Sequence, residues 1–185
     1  MKQLSIDGAL LYTPRIHSDL RGDFLESFRA VDLREAIGST LELAQINCSV
    51  SRRGVLRGVH FADVPPGQAK YVMCVAGEVL DVVVDVRVGS PTFGQWETVR
   101  LDAVTHCGLY LSEGLGHGFL TLSESATVVY ACSTGYDPAR EHGIHPLDPD
   151  LAIDWPLTEE PIMSPKDAAA PTLKQARDLG MLPSC

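Results

Sequence analysis

One nine-residue stretch constrains the fold more than any other part of the sequence. Between Val79 and Arg87, apolar and polar residues separate onto two alternating faces. One face carries Leu80, Val82, Val84 and Val86, and the other carries Asp81, Val83, Asp85 and Arg87. A period of two residues is typical of a β-strand, because successive side chains point to opposite faces. The pattern therefore predicts a strand with one core face, which ends near Gly89 and Pro91.

Other short apolar segments between turn-forming residues are predicted to be strands as well. They are Gly8–Tyr12, Leu43–Ser49, Val55–Phe61, Ala69–Val75, Trp96–Leu101, Gly108–Leu111, Gly118–Leu122 and Ala126–Cys132. Helices are few, namely Asp32–Ile37, which stops at Gly38, and Thr172–Leu179, which stops at Gly180. So many strands in 185 residues predict one all-β domain over residues 1–185, either a sandwich or a barrel, with a jelly roll as the leading option.

The charge of the chain excludes one class of partner. Fifteen Lys and Arg against 24 Asp and Glu give a net charge of -9, whereas a general nucleic-acid binder needs a basic surface. Most of the excess acid follows residue 100, so we expect the first half of the chain to receive an anionic ligand. No apolar run approaches the roughly 18 residues of a membrane span, and Asp7 interrupts any signal-peptide core.

The cysteines indicate the redox setting. They are Cys48, Cys74, Cys107, Cys132 and Cys185, an odd number without a C-x-x-C pair. Cys74 and Cys132 lie in apolar runs, which suits buried thiols. A disulfide scaffold or a zinc site is therefore not expected, and a reducing cytoplasm is the simplest location.

The segment Gly54–Phe61 places an arginine and a histidine on an otherwise apolar strand. His60 is either a partly buried histidine satisfied by hydrogen bonds or a base beside an anion-binding Arg57. Strict alternation puts these two side chains on opposite faces of the strand. If both serve one site, a bulge or a strong twist must lie between them, and Gly58 would permit it.

Two further polar residues stand in apolar strands. Lys70 lies either at a strand end in water or in a cavity, where it would stabilise negative charge. Tyr130, within Val128–Cys132, is either a core aromatic residue with a satisfied hydroxyl or an acid inside a cavity. The pattern does not decide either question.

Two connecting segments carry polar residues in unusual surroundings. The glycines of Glu113–Phe119 bracket His117, and this string favours a tight turn over a phosphate-binding loop because no downstream helix is evident. Ser164, followed by proline and then by Asp167 in the first turn, is typical of a helix cap. The same aspartate could instead orient a histidine.

A metal site is not predicted. A cupin-type site needs two histidines that alternate on a strand, followed by a carboxylate. Here Ala62 occupies the position two residues after His60, and Asp63 has the wrong parity. One histidine cannot hold a catalytic metal.

Taken together, six segments of the chain resemble the dTDP-4-dehydrorhamnose 3,5-epimerase family, cofactor-independent epimerases of nucleotide sugars. They are Arg21–Ser27, Val55–Phe61, Ser90–Trp96, His117–Phe119, Ile153–Pro156 and Lys166–Pro171. Their order and spacing cover nearly the whole chain. The resemblance implies a metal-free cupin-type jelly roll, a homodimer, and epimerisation of a dTDP-4-keto-6-deoxyhexose at C3, at C5 or at both, without a cofactor.

The resemblance also implies catalytic roles. His60 matches the base of the family, and Asp167 matches the acid that pairs with it. Lys70 matches the lysine near the C4 oxygen, and Tyr130 matches the acid on the opposite face of the sugar ring. These residue types suit the chemistry, because a 4-ketone acidifies the hydrogens on C3 and C5 and histidine is the usual base near neutral pH. The enolate oxygen that forms needs a fixed positive partner.

Further residues match positions that bind substrate in the family. Those that match its pocket are Gln45, Asn47, Arg57 and His117. Those that match residues reaching in from the partner subunit to bind the nucleotide are Arg21, Phe24 and Glu26.

The chain also departs from the usual pattern of the family, at Cys48, Ala62, Ser112 and the Gly135–Tyr136 pair. These departures leave the proton-transfer residues in place but change the lining of the pocket. They fit an epimerase of an antibiotic deoxysugar pathway that inverts only C3 or only C5 at least as well as a rhamnose-pathway enzyme. Two functions of a different class also stay open, a non-catalytic or ketoisomerase-like sugar-nucleotide cupin and a metal-dependent cupin oxygenase.

Overall fold

A computed structural model describes all residues from Met1 to Cys185. Its elements in chain order are β1 (Lys2–Gln3), β2 (Ala9–Tyr12), β3 (Ile16–Asp19), β4 (Gly22–Leu25), α1 (Ala30–Ile37), β5 (Gln45–Arg52), β6 (Leu56–Ala62), β7 (Lys70–Ala76), β8 (Glu78–Asp85), β9 (Trp96–Asp102), β10 (Gly108–Leu111), β11 (Leu115–Thr121), β12 (Ser125–Cys132), β13 (Glu141–Gly143), α2 (Pro165–Ala168) and α3 (Leu173–Asp178). None of the helices is long and apolar enough to cross a membrane. The five cysteines are free, and Cys74 and Cys132 are buried as predicted.

Two antiparallel sheets form the body of the molecule. One has six strands in the order β1-β2-β10-β7-β12-β5, and the other has five in the order β13-β6-β11-β8-β9. Their inner faces share one apolar core, to which Val72 and Val128 contribute from the first sheet and Val83 and Phe119 from the second. The hairpin of β3 and β4 stands apart from both sheets. This arrangement confirms the predicted all-β, cupin-type jelly roll.

The strand with the strongest sequence signal is present as β8, but the prediction of a single core face is wrong. Val83 faces the inner core, whereas Val82 and Val84 join a second core beneath the C-terminal segment. The polar residues between them are also fully buried, as Asp81 and Asp85 are 0% exposed. A strand in the middle of a sheet that is covered on both faces has no solvent side.

A bulge in β6 turns Arg57 and His60 toward the same side. His60 is opposite His117 in β11, and Arg57 is opposite Phe119, so three steps along β6 match two along β11. Gly58 lies inside this irregularity with a φ of 105°, and a Cβ there would come within 2.5 Å of the carbonyl oxygen of His117. Only glycine fits this position, and the bulge predicted between the two polar residues is confirmed.

The glycine string around His117 is a strand rather than the tight turn that the sequence favours. All residues of β11 are buried. A Cβ at Gly116 would lie 2.8 Å from the side chain of Val59, and a Cβ at Gly118 would lie 2.8 Å from the carbonyl oxygen of Arg57. The glycines therefore allow β11 to approach its neighbour closely, which is their second common use in a strand.

Candidate active site

One cavity of about 460 Å³ opens between the two sheets. Eight residues predicted from the sequence line it, namely Gln45, Asn47, Arg57, His60, Lys70, His117, Tyr130 and Asp167. The five-stranded sheet supplies the two histidines through β6 and β11, and the six-stranded sheet supplies Lys70 and Tyr130 through β7 and β12. The fold thus brings together residues that are more than a hundred positions apart in the chain, such as His60 and Asp167.

His60 and Asp167 form a hydrogen-bonded pair at one wall of the cavity. Nε2 of His60 lies 2.6 Å from Oδ1 of Asp167, whose side chain is almost completely buried. Burial raises the pKa of this carboxyl, but the bond and charge of His60, the Ser164 hydroxyl and the Gly58 N–H together hold the pKa below its ordinary value. The aspartate therefore stays ionised and orients the imidazole.

Lys70 lies in the cavity, which decides between the two alternatives that the sequence left open and excludes a solvated strand end. The residue is 9% exposed, and its ammonium group makes no hydrogen bond within the chain. Burial lowers the pKa of Lys70, an effect that nearby Cys132, Glu141 and Asp81 oppose. An ammonium group without a partner on the wall of a cavity can bind an oxygen that carries negative charge.

Tyr130 is half-buried on the wall opposite His60. Its hydroxyl has no hydrogen-bond partner within the chain, and burial raises its pKa, with Cys132 and Glu141 adding to the rise and Arg57 opposing it. The phenol is therefore protonated at neutral pH and is free to donate. An acid and a base consequently face each other across the same cavity.

The second histidine of the cavity is also paired with a carboxylate. Nε2 of His117 lies 3.0 and 2.9 Å from the two carboxylate oxygens of Asp81, which is fully buried in β8. Burial raises the pKa of Asp81, and the charges of His117 and Lys70 oppose this rise. The pair fixes the ring of His117 at the cavity wall and explains one of the two buried acids of β8.

Polar side chains on β5 complete the cavity. Nε2 of Gln45 donates to Oδ1 of Asn47 at 2.6 Å, while Oε1 of Gln45 accepts the backbone N–H of Tyr136 at 2.9 Å. Arg57 is held on one side by the hydroxyl of Ser51, at 3.0 Å from its Nε. Its remaining guanidinium donors stay free for an anion.

Three predicted residues do not reach the cavity of their own chain. Arg21 and Phe24 lie on the β3–β4 hairpin, where the side chain of Arg21 is 89% exposed and forms an ion pair with Asp19. Glu26 follows this hairpin, and its side chain is 62% exposed. Their implied contact with a nucleotide in a partner subunit stays a prediction.

The cavity also contains residues that were not predicted from the sequence. They are Gln68, Gly118, Phe119, Tyr136, Glu141, Ser164 and Lys166. Lys166 and Glu141 lie 3.6 Å apart and form an ion pair beside Asp167. Lys166 could have been found from its position next to Asp167, but Glu141 belongs to a three-residue strand without a periodic pattern.

The side chains in the structure do not form a metal-binding group. No three His, Cys, Asp or Glu side chains are placed to hold one ion. In the cavity each histidine instead pairs with a carboxylate, His60 with Asp167 and His117 with Asp81. Such a constellation can move protons and bind anions.

Comparison with known proteins identifies the relatives of this fold and site. The sequence model described as dTDP-4-dehydrorhamnose 3,5-epimerase matches residues 3–175. The chain belongs to this family. The dTDP-4-dehydrorhamnose 3-epimerase of Streptomyces niveus is 58% identical over 100% of this chain and 88% of its own. The dTDP-4-dehydrorhamnose 3,5-epimerase of Mycobacterium tuberculosis is 52% identical over 98% of this chain and 91% of its own.

The fold agrees equally well with a solved member of the family. The crystal structure of a 3′-monoepimerase from Streptomyces bikiniensis in complex with dTDP-quinovose matches with a TM-score of 0.96 and 55% identity. The match covers 100% of this chain and 93% of the other. Family membership favours an epimerase over the binding module and the metal-dependent oxygenase that the sequence left open.

Proposed function

We propose that this protein epimerises a dTDP-4-keto-6-deoxyhexose at a carbon next to the C4 ketone. The observation that carries the proposal is the position of His60 and Tyr130 on opposite sheets, facing one cavity, with Lys70 beside them. Inversion of a carbon requires a proton to leave one face and another to arrive on the opposite face. A base and an acid on opposite walls supply both.

The reaction follows from these positions. His60 removes the proton on the carbon next to the ketone, and the electrons of the broken C–H bond move onto the C4 oxygen. Lys70 stabilises the resulting enolate, and Asp167 stabilises the imidazolium. Tyr130 then donates its proton to the carbon from the opposite face, so that one C–H bond is broken and one is formed. Exchange with water returns His60 and Tyr130 to their starting forms.

The charges in the cavity support a nucleotide-diphosphate substrate. Arg57 keeps free guanidinium donors, and Lys70 is an unpartnered cation. Both come from the nearly neutral first half of the chain, in line with the sequence expectation. Lys166, which the expectation did not include, adds a cation from the acidic second half, although Glu141 is its ion-pair partner.

We infer that C3 is inverted, because the names of the three relatives all include that carbon. The test is incubation with dTDP-4-keto-6-deoxyglucose in deuterated water, followed by NMR assignment of the incorporated deuterium. Deuterium at C3 supports the proposal, and its presence or absence at C5 separates a 3,5-epimerase from a single-centre enzyme. Deuterium at C5 alone contradicts the inference that C3 is inverted, and deuterium at neither carbon contradicts the proposed epimerisation as a whole.

We also propose that the active form is a homodimer in which the β3–β4 hairpin of one copy reaches the cavity of the other. The hairpin exposes Phe24 by 68% and Leu20 completely, and the edge strand β5 exposes Ile46 by 60% and Val50 by 68%. Exposed apolar side chains of this number favour burial against a partner. Arg21 on the hairpin would then bring a cation to the nucleotide.

Complementation tests this arrangement. A homodimer of His60→Asn is expected to be inactive because it lacks the base. A homodimer of Arg21→Ala is expected to be inactive because it lacks the contact with the nucleotide. Co-expression of the two variants should restore activity, because one site of the heterodimer then combines a native His60 with a native partner hairpin. No restored activity in an isolated heterodimer, or a monomer by light scattering, would refute residue exchange.

A further inference from the structure

Ser164 begins the helix that carries Asp167, and it also lines the active-site cavity. Its backbone is extended, with φ -69° and ψ 154°, and its Oγ accepts the N–H of Asp167 at 3.0 Å. The sequence allowed two roles for this segment, a helix cap or a partner for a histidine. The structure shows both at the same place.

The helix is too short to hold its own shape. It has four residues, Pro165–Ala168, and a single turn fixes many dihedral angles in return for few hydrogen bonds. The cap is therefore a main determinant of where the Asp167 backbone lies. Because that residue holds His60 at 2.6 Å, a displacement of the turn would displace the proton-transfer pair.

The same hydroxyl acts on the carboxylate. Its oxygen accepts the backbone N–H of Asp167 at 3.0 Å, and the hydroxyl is among the groups that lower the pKa of the Asp167 carboxyl. The charged groups around the carboxylate are His60 from β6, Lys166 from the helix itself, and Glu141 from β13, which forms an ion pair with Lys166.

We propose that Ser164 is a positioning residue for epimerisation, whose hydroxyl both caps the helix of Asp167 and donates to its carboxylate, so that the His60–Asp167 pair is held in its working geometry. This proposal rests on the proposed role of the pair as the base. Ser164 would then affect the rate and the pH dependence of the reaction as well as the stability of the fold.

A set of variants separates these two effects. Ser164→Ala removes both the cap and the donor, Ser164→Thr keeps both, and Ser164→Asp keeps a good cap but has no hydroxyl proton and adds negative charge. Thr172→Ala is the matched control, because Thr172 caps α3 in the same way, accepting the N–H of Gln175 at 3.2 Å, and does not line the cavity.

We expect Ser164→Ala and Thr172→Ala to lower the melting temperature by similar amounts, roughly 2–4 °C. Only Ser164→Ala and Ser164→Asp should lower kcat, by roughly 10- to 100-fold, the loss expected for one hydrogen bond to a charged group. In both variants the acidic limb of the pH profile of kcat/KM should move to higher pH, because the carboxylate has lost a donor. Ser164→Thr should resemble the wild type.

Either of two results would overturn the proposal: a folded Ser164→Asp enzyme with wild-type kcat and pH profile, or a Thr172→Ala enzyme that loses as much kcat as Ser164→Ala. A substrate-free measurement keeps this test separate from that of the proposed function. The pH titration of the Asp167 carboxyl carbon signal by NMR should have its midpoint at higher pH in Ser164→Ala and Ser164→Asp but not in Thr172→Ala, because the Ser164 hydroxyl is among the groups that lower this pKa. An unchanged midpoint in all three contradicts the proposal, whatever the substrate is.

Discussion

Replacement of Asp85 by asparagine tests whether the buried, ionised carboxylate on β8 stabilises the folded protein. The carboxylate of Asp85 is 0% exposed and accepts hydrogen bonds from Nε of Arg87 at 2.9 Å, from Ser90 at 2.5 Å and from Thr92 at 2.6 Å. Burial alone would raise the pKa of this carboxyl, but the donors outweigh it and lower the pKa to about 2. The charged form is therefore stabilised in the folded protein.

The size of this stabilisation follows from the difference in pKa. An unfolded aspartate has a pKa of about 3.9, so a folded pKa of about 2 corresponds to about 2.5 kcal/mol, at about 1.4 kcal/mol per unit. Because the folded pKa is the lower one, this free energy is fully present above about pH 4 and is lost as the pH falls towards 2. Asp85→Asn should therefore lower the free energy of unfolding by about 2–3 kcal/mol at neutral pH.

Urea unfolding of the wild type and the variant, from neutral pH down to about pH 3, measures this difference. We expect the gap between the two proteins to narrow below about pH 4. Asp154→Asn is the control, because Asp154 is exposed and its carboxylate makes no hydrogen bond; it should stay within about 0.5 kcal/mol of the wild type. A loss below about 1 kcal/mol at neutral pH, or a gap independent of pH, would refute the reasoning.

Three further substitutions test the proposed chemistry. His60→Asn should abolish turnover in a protein that still folds, and turnover above roughly a tenth of wild type would disprove the base assignment. Tyr130→Phe removes a hydroxyl without a partner, so calorimetry should show an unchanged melting temperature while inversion falls by roughly 10²–10⁴; undiminished inversion would exclude this acid. Lys70→Met should lower kcat by roughly 10²–10³ yet raise the melting temperature, because a buried cation is removed; a lower melting temperature would contradict the cost of burying it.

The strands could be predicted from the sequence because alternation is a local property. The period of two located β8 and its neighbours, and Gly58 between Arg57 and His60 indicated where a bulge was needed. Which part of the chain covers each face of a strand cannot be predicted from the strand itself, because the covering residues lie far away in the sequence. The C-terminal segment, with Leu151 and Trp155, buries the outer side of β8, and the sequence of that strand does not indicate this contact.

The site divides in the same way. Eight residues of the cavity could be predicted because they match positions of the family's motifs. Their burial and their hydrogen-bond partners could not be predicted, because these depend on how distant strands pack together. The sequence could not choose between a solvated and a buried Lys70, because the choice depends on how β7 packs against the opposite sheet. Glu141 was missed since it sits in a short strand whose position is set by pairing with β6. Arg21 lies on an exposed hairpin away from the cavity of its own chain, so its predicted contact with the nucleotide depends on the proposed second copy.

The fate of the hydrogen at the inverted carbon tests the central claim most directly. The wild-type protein is incubated in deuterated water with dTDP-4-keto-6-deoxyglucose, and the configuration and deuterium content at C3 are read from the same product by NMR. Removal of a proton by His60 on one face and delivery from Tyr130 on the other predict an inverted C3 that carries deuterium. An inverted C3 that retains the original hydrogen, or a product with deuterium but no inversion, would contradict the two-sided mechanism.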